Sequence, residues 1–460
     1  MRLRSFKLQN YRCFRNFSIK LDTRLTVLVG VNGAGKTTVL DGLALFLETI
    51  MNSMSQGQIS VRAPLAIDAA ICHKSTATPK KRSQVSYQIS LTDLNDKRTG
   101  KSFRWEPINM RFDYHEIDSA KMYAPQNQQM FADIQKVINH IGSKRNQDGL
   151  PVFVYYKSKR FLPEDTTAQE EQAFKRHDSD VFSNAFLPLI DYASSVQWFS
   201  SMDALEARQA VNSRDLDYTM PELDALREAI SLNLNDYERP RMDRSQEHPS
   251  AMELVIKKKG TEDDYTIKQL SDGYRTMLAL VMDLARRMAV ANSKTFKPLN
   301  RSVLESPAIV LIDEVELHLH AGWQQTVLPS LLNTFKNTQF IVTTHSPHVL
   351  TSIEPRQIRI LKDGHLEPVI TTTYGAESSR VLEEVLGVKP RPGEKMNDAI
   401  KELKEYLKLI DEGEWESKVA HEKRRKLNEW LEGDPVLDRA DMLISRQERL
   451  RARKSEESDA

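Results

Sequence analysis

One loop constrains the fold of this chain more than any other feature of its sequence. Residues 30–37 read Gly-Val-Asn-Gly-Ala-Gly-Lys-Thr, a complete match to the phosphate-binding pattern G-x-x-x-x-G-K-[ST]. The mainly apolar stretch 24–29 before the loop is typical of a buried strand, and the run 38–46 after it is typical of a helix. A strand, a glycine-rich loop and a helix in this order predict a nucleotide-binding domain of the α/β class.

The residue types in this loop suit a bound nucleoside triphosphate with Mg²⁺. Glycines let backbone N–H groups turn toward phosphate oxygens, and the following helix N-terminus adds partial positive charge. We expect Lys36 to reach the β- and γ-phosphates and Thr37 to offer its hydroxyl to Mg²⁺. The other loop residues that we expect to hold the nucleotide are Gly30, Asn32, Gly33, Ala34, Gly35 and Thr38. A glycine-rich turn without a ligand is the simpler alternative, but it would not require Lys-Thr at the helix start.

A second motif lies far down the chain, where the apolar stretch 306–312 ends in Asp313 and Glu314. Strand residues alternate in direction, so consecutive acids at a strand end can serve different partners. This is the Walker B arrangement, which predicts that Asp313 joins the Mg²⁺ shell and Glu314 orients or deprotonates the attacking water. Two acids at a strand end are often only solvated, but their combination with the phosphate loop favours catalysis.

The run 338–347 predicts another buried strand with His345 at its end. An imidazole at this place can donate a hydrogen bond to the γ-phosphate or to the attacking water. A lone histidine is more often a structural residue. Its position after the Walker B strand favours a role at the nucleotide.

Residues 269–275 precede an apolar helix predicted at 276–285. Ser271 suits the N-cap of that helix, and Gly273 permits close approach of another backbone. A plain helix cap would explain this segment in isolation.

Taken in order, these motifs resemble the head domain of ABC-type ATPases. Residues 269–275 are similar to the signature loop L-S-G-G-Q, with Asp272, Tyr274 and Arg275 departing from it. The resemblance implies an α/β head of the P-loop NTPase type, with a mixed sheet flanked by helices, that binds and hydrolyses ATP with Mg²⁺. It also implies that Ser271 and Gly273 of one copy close over the ATP of a second copy, giving a homodimer.

The segment 10–14 is similar to the opening of soluble heads related to RecF, the SMC proteins and the OLD nucleases, which implies that Arg12 lies near the nucleotide phosphates. Residues 316–320 are similar to the E-x-H-L-H-P run of the OLD-like branch, with Ala321 in place of the proline. The resemblance implies that His318 and His320 lie on a D-loop facing a partner subunit. A pair of metal ligands is the alternative interpretation.

Within that branch the chain resembles the PtuA family of ATPase subunits from Septu anti-phage systems, including retron-associated relatives. The resemblance is carried by residues 269–275 with 283–287, by 151–156 with Arg160, and by 373–376. It implies a regulatory ATPase whose partners are an HNH-type nuclease encoded nearby and a retron reverse transcriptase with its RNA–DNA hybrid. The alternative is a RecF- or SMC-like repair clamp that grips DNA itself.

The resemblance divides the chain into four segments. We expect the head to occupy residues 1–50, with Walker A, and 251–372, with the signature, Walker B, D-loop and switch histidine. Residues 51–250 are expected to combine head strands with a mixed α+β insertion, and 373–460 to form a helical partner-docking region. The Q-loop glutamine of the family stays open between Gln84 or Gln88 and the turn at 155–160.

Composition excludes several classes of protein. The formal net charge is +1, so any nucleic-acid contact would come from local patches such as 80–82 and 157–160, which are more often plain surface. The two cysteines, Cys13 and Cys72, match neither a disulfide framework nor a zinc cluster. No segment approaches the ~20 apolar residues of a membrane span, so we expect a cytoplasmic protein with no membrane contact.

Local patterns give further expectations. Alternating residues 1–8 predict an edge strand, and the polar stretch 235–250 predicts a loop. Apolar residues recur at helical spacing along 400–410, and Trp415 and Trp430 suit docking onto a partner. The charged run 422–426 is interpreted as an exposed helix face in preference to a nucleic-acid patch. No HNH or toprim pattern is apparent, so a nuclease would be another chain.

Overall fold

The computed structural model describes residues 1–56, 82–92, 107–115, 128–158, 179–182, 184–186, 190, 192–234, 236–244, 252–369, 371–389, 391, 393 and 397–458. The chain divides into two compact units, Met1–Leu386 and Gly387–Ala460.

The strands of the described residues are β1 (Arg2–Tyr11), β2 (Phe14–Lys20), β3 (Leu25–Val29), β4 (Arg82–Thr92), β5 (Ile108–His115), β6 (Val152–Tyr156), β7 (Tyr237–Arg244), β8 (Met252–Lys258), β9 (Asp264–Thr266), β10 (Ala308–Ile312), β11 (Thr338–Thr343), β12 (Ile358–Lys362) and β13 (His365–Glu367). The α-helices of the same residues are α1 (Lys36–Gln56), α2 (Gln128–Asp148), α3 (Ser179–Phe182), α4 (Tyr192–Ser213), α5 (Pro221–Asn233), α6 (Asp272–Phe296), α7 (Ala321–Thr334), α8 (Pro347–Leu350), α9 (Ser378–Glu384), α10 (Asp398–Asp411), α11 (Lys418–Trp430) and α12 (Pro435–Ser458).

A mixed six-stranded sheet forms the centre of the first unit, in the order β13-β12-β3-β11-β10-β6. Its strands pair in parallel except for β12 and β13, which are antiparallel. Every residue of β3, β6, β10 and β11 is buried, as expected for parallel strands covered on both faces. The predicted α/β class with a mixed sheet and flanking helices is therefore confirmed.

The strand order brings the sequence motifs together. Since β3, β11 and β10 are parallel neighbours, their carboxyl ends meet at one edge of the sheet. The phosphate loop follows β3, the acids Asp313 and Glu314 follow β10, and His345 follows β11 by two residues. The sheet thus collects residues that lie some 300 positions apart in the chain.

Two smaller antiparallel sheets differ from the local sequence expectations. The first has the order β2-β1-β4-β5, so β1 is an internal strand and the prediction of an edge strand was wrong. The reason is that β4, from a distant segment, pairs along β1 from Arg2 to Gln9. The second sheet, β7-β8-β9, contains Tyr237–Arg244, which the polarity of 235–250 had predicted as a loop. Strand β7 is held by antiparallel pairing with β8, and the polarity of residues 235–250 gives no information about that pairing.

A buried ionic network joins helix α6 to strand β6. The carboxylate of Asp283 accepts hydrogen bonds from Tyr156 Oη at 2.9 Å, Arg287 Nε at 2.8 Å and Arg286 at 3.0 Å. Burial by itself would raise the pKa of Asp283, but the charges of the two arginines outweigh it, and the pKa lies below its ordinary value. The network connects the sequence segments 151–156 and 283–287, two of those on which the family resemblance rests.

The second unit is a small helical assembly built from α10, α11 and α12. Its core contains Leu403, Tyr406, Ile410, Trp415, Ala420, Leu427, Leu437 and Ala440. Trp415 is therefore a core residue and not a docking surface, whereas Trp430 keeps 50% of its surface exposed. Residues 373–386, which the sequence grouped with the tail, fall in the first unit.

The charged run on α11 is paired within the second unit. Lys423 Nζ contacts the carboxylates of Glu402 and Glu405 at 2.7 Å and 2.5 Å. Arg424 pairs with Asp441 at 2.6 Å. These acids neutralise the basic side chains locally, which favours the interpretation as a solvated helix face. Among the described helices, none combines the length and apolarity needed to cross a bilayer.

Candidate nucleotide-binding site

The phosphate loop depends on glycine at two positions. Gly35 has φ +101°, and a Cβ there would lie 2.5 Å from the ring of Phe14 and 2.8 Å from the sulfur of Cys13. Gly30, with φ +155°, would place a Cβ against the backbone oxygen of Leu361. The loop is therefore packed tightly on its outer side, and its backbone is free to face the cavity.

Lys36 begins helix α1 with its ammonium turned back onto the loop. Its Nζ donates to the backbone oxygens of Gly30 at 2.8 Å and Val31 at 3.1 Å. Burial lowers the pKa of Lys36, and the negative charges of Asp313, Glu314 and Glu316 oppose that shift in part. A cation held this way is close to the loop amides that are expected to receive phosphate oxygens.

Thr37 and Asp313 meet across the edge of the sheet. The hydroxyl of Thr37 donates to the Asp313 carboxylate, with Oγ1 lying 3.0 Å and 3.2 Å from its two oxygens. Asp313 is 3% exposed. A hydroxyl and a carboxylate oxygen are donors that Mg²⁺ prefers, so these two residues fit the predicted metal ligands.

Thr343, which the sequence analysis missed, links the two acids of Walker B. Its hydroxyl donates to Asp313 Oδ1 at 2.6 Å and accepts from the backbone N–H of Glu314 at 2.7 Å. Glu314 needs such support because its φ of +51° is rarely adopted by residues other than glycine. The only hint in the sequence is a threonine that follows the apolar residues 340–342 at the end of the strand, a signal too common to be diagnostic.

One cavity of ≈ 280 Å³ gathers most of the predicted site. Its lining residues are Asn32, Gly33, Gly35, Lys36, Thr37, Thr38, Asp313, Glu314 and His345. Gly30 and Ala34 belong to the same loop but do not line the cavity. The cavity has room for a phosphate chain beside the ammonium of Lys36, the oxygens of Thr37 and Asp313, and the carboxylate of Glu314.

Arg12 is not among the residues that line this cavity. It donates to Asp41 Oδ2 at 2.5 Å, and the other oxygen of Asp41 accepts from Tyr155 Oη at 3.1 Å. Asp41 lies on α1, directly after the phosphate loop. The proximity of Arg12 to the phosphates stays a prediction.

The signature residues also lie outside the cavity of their own chain. Ser271 is exposed and occupies the N-cap of α6, but its side chain makes no capping hydrogen bond. Gly273 is buried, and a Cβ there would lie 2.7 Å from the backbone oxygen of His318. The signature loop therefore packs directly on the segment that follows Walker B.

The histidines of that segment are exposed. His318 has φ +65°, and His320 caps α7 by accepting from the backbone N–H of Gly322 at 3.4 Å. In the parts of the chain that the structure describes, no group of three or more His, Cys, Asp or Glu residues is placed to hold a metal ion.

Two of the three Q-loop candidates can be placed. Gln88 lies on β4 of the antiparallel sheet, where its amide donates to Asn109 at 2.8 Å. The turn after β6 is close to the site, because the backbone oxygen of Tyr156 accepts from Asp313 N at 2.8 Å. Gln84 is in the same strand as Gln88, but its side chain and residues 159–160 lie outside the described residues.

Comparison with known proteins gives a matching family model, sequence relatives and structural neighbours. Residues 1–350 match the family model described as AAA ATPase domain. The retron Ec83 probable ATPase of Escherichia coli is 27% identical over 501 residues, which cover 94% of this chain and 83% of the relative. Septu protein PtuA of Bacillus mycoides (strain KBAB4) is 22% identical over 439 residues, which cover 88% of this chain but 50% of that protein. Among solved structures, an Smc head bound to the C-winged helix domain of ScpA aligns with 80% of this chain and 96% of that chain, at 15% identity and a TM-score of 0.41.

Proposed function

The chain belongs to the AAA ATPase domain family, and from this premise we propose that it hydrolyses ATP, dimerises on ATP and controls a partner nuclease in anti-phage defence. The observation that carries the proposal is that Lys36, Thr37, Asp313, Glu314 and His345 line the same cavity. Similarity to a retron ATPase and to a Septu protein supports the defence context.

Each residue of the cavity has its own role in phosphoryl transfer. Loop amides and Lys36 bind the phosphates and offset their charge. Thr37 and Asp313 would hold Mg²⁺, which when bound would neutralise negative charge on the β- and γ-phosphates. Glu314 orients or deprotonates the water that attacks the γ-phosphorus, with ADP as the leaving group. His345 donates a hydrogen bond to the γ-phosphate.

The exposed signature residue supports a shared site. Ser271 faces outward and does not line the cavity of its own chain, so it is available to the nucleotide of a second copy. Two copies related by a two-fold axis would each complete the other's pocket. ATP then stabilises the closed dimer because it binds that state more tightly than the open one.

We expect Ser271→Arg to prevent dimerisation while leaving ATP binding to the single chain intact. The bulky arginine side chain would occupy the space that the nucleotide of the second copy needs. Loss of the hydrogen bond between Ser271 and that nucleotide should lower kcat at least ~10-fold, the usual effect of losing one hydrogen bond to a charged group. Light scattering in Mg-ATP and steady-state hydrolysis measure the two effects. Ser379→Arg, on exposed helix α9, is the matched control. Dimers that persist in the Ser271→Arg variant would contradict the shared site.

The proposed partners are an HNH-type nuclease encoded nearby and a retron reverse transcriptase with its RNA–DNA hybrid. Deletion of the second unit, residues 387–460, should abolish co-purification of the nuclease and leave hydrolysis by the first unit measurable. This follows from the second unit's separate core, which lets it carry a docking surface of its own. Retention of the nuclease by the shortened chain would contradict docking through this unit.

ATP-stimulated, strongly salt-dependent retention of DNA by the ATPase alone would support the alternative function, a repair clamp that grips DNA itself.

A further inference from the structure

The segment 314–320, here called the acidic strap, connects Walker B to helix α7. It contains two tight turns, in which Leu317 N donates to Glu314 O at 3.0 Å and Leu319 N donates to Glu316 O at 2.9 Å. Glu314 and His318 both have positive φ, at +51° and +65°. Such turns give the strap a defined path and fix the direction in which Glu316 points.

Glu316 contacts the main chain of the switch histidine. Its Oε1 accepts the backbone N–H of His345 at 2.5 Å. Its Oε2 is buried and makes no hydrogen bond to any described residue. Leaving a carboxylate oxygen unsatisfied costs free energy, so fold stability alone gives no reason for an acid here.

A second contact ties the next residue of the switch segment to the same region. Ser346 Oγ donates to Gln324 Oε1 at 2.5 Å, and Gln324 Nε2 donates to Leu319 O at 2.8 Å. Two successive residues, His345 and Ser346, are thus held from the strap and from the first turn of α7. These hydrogen bonds fix the position of the backbone that carries the His345 imidazole.

We propose that Glu316 is a positioning residue that fixes the main chain of His345 and so keeps its imidazole at the γ-phosphate. Glu316 acts through His345 and is not among the residues that line the cavity. The inference rests on the proposed hydrolysis of ATP. It adds a residue whose side-chain oxygen accepts from the backbone N–H of the switch histidine.

The first experiment is a double-mutant cycle in the full-length chain. Glu316→Ala should lower kcat about tenfold, the effect of losing a charge-assisted hydrogen bond, with KM for ATP within about twofold. Glu316→Gln should keep most of the activity because its amide oxygen still accepts from His345 N. In a His345→Ala background, Glu316→Ala should have little further effect. Glu354→Ala, which removes an exposed acid paired with Arg356, is the control.

An equally large loss of kcat from Glu316→Ala in the His345→Ala background would overturn the proposal, as would a rise in KM that accounts for the lost activity.

The second experiment does not need hydrolysis. Hydrogen exchange of the peptide around residues 343–348 should accelerate in Glu316→Ala and stay near wild type in Glu316→Gln. Unchanged exchange in Glu316→Ala would overturn the positioning role. If the wild-type chain does not hydrolyse ATP, the proposed function fails. Hydrogen exchange alone then tests whether Glu316 fixes the main chain of His345.

Discussion

Replacing Lys36 with alanine is expected to weaken ATP binding by roughly 100-fold, because a hydrogen bond to a charged group contributes about 1.5–3 kcal/mol. Lys36 Nζ already lies 2.8 Å and 3.1 Å from two loop carbonyls, so its ammonium needs little rearrangement to meet a phosphate. Lys36 is only 6% exposed, so little water solvates its ammonium, and this burial lowers its pKa. The loss of binding should therefore exceed that for a surface lysine.

Isothermal titration with ATP measures this effect directly, and thermal unfolding checks that the variant still folds. Lys362→Ala is the matched control, because Lys362 is exposed and pairs with Glu367 in the same unit. A complex of this chain with its nuclease should also lose its response to ATP in the Lys36→Ala variant. Unchanged affinity for ATP would show that the loop does not bind the phosphates.

Local signals were enough to predict the central elements of the site. The apolar runs before the loop, before Asp313 and before His345 are β3, β10 and β11, and all three are buried. A parallel sheet then brings their carboxyl ends together without further information. For this reason Lys36 and Thr37 line the same cavity as Asp313 and Glu314 after β10 and His345 after β11.

The contacts that orient these residues could not be predicted from one sequence. Thr343 lies between Asp313 and the backbone of Glu314 only because β11 is placed next to β10. Asp41 holds Arg12 across a separation of 29 residues, and no local pattern predicts that these two residues pair. Side-chain hydrogen bonds across strands depend on strand order and register, which hydrophobic periodicity does not encode.

The same limit explains the errors of the sequence analysis. The alternation of residues 1–8 correctly indicated a strand, but it carries no information about how many neighbours that strand has. Trp415 suited docking by residue type, yet it fills the core of the second unit. Residue type predicts a tendency to be buried, whereas the surface that buries it is set by tertiary packing.

Replacing Glu314 with glutamine should lower kcat for ATP hydrolysis by about 10²–10⁴, as removal of a general base typically does. Glutamine has nearly the same shape, so the bond from its backbone N–H to Thr343 Oγ1, 2.7 Å in the wild type, should persist. ATP affinity should stay within about threefold of wild type, since the role we propose for Glu314 is at the attacking water and not at the phosphates. Single-turnover hydrolysis separates the chemical step from binding.

Because we expect it to bind ATP and hydrolyse it slowly, the Glu314→Gln variant should also accumulate the closed dimer in Mg-ATP. Light scattering should then give twice the mass of the chain, and the additional change Ser271→Arg should return it to a monomer. Glu354→Gln, at an exposed acid, controls for loss of charge alone. Normal turnover in Glu314→Gln would mean that another group is the base. A slow variant that stays monomeric with saturating ATP would contradict the proposal that two copies share their nucleotides, since the dimer should be longest-lived when hydrolysis is blocked.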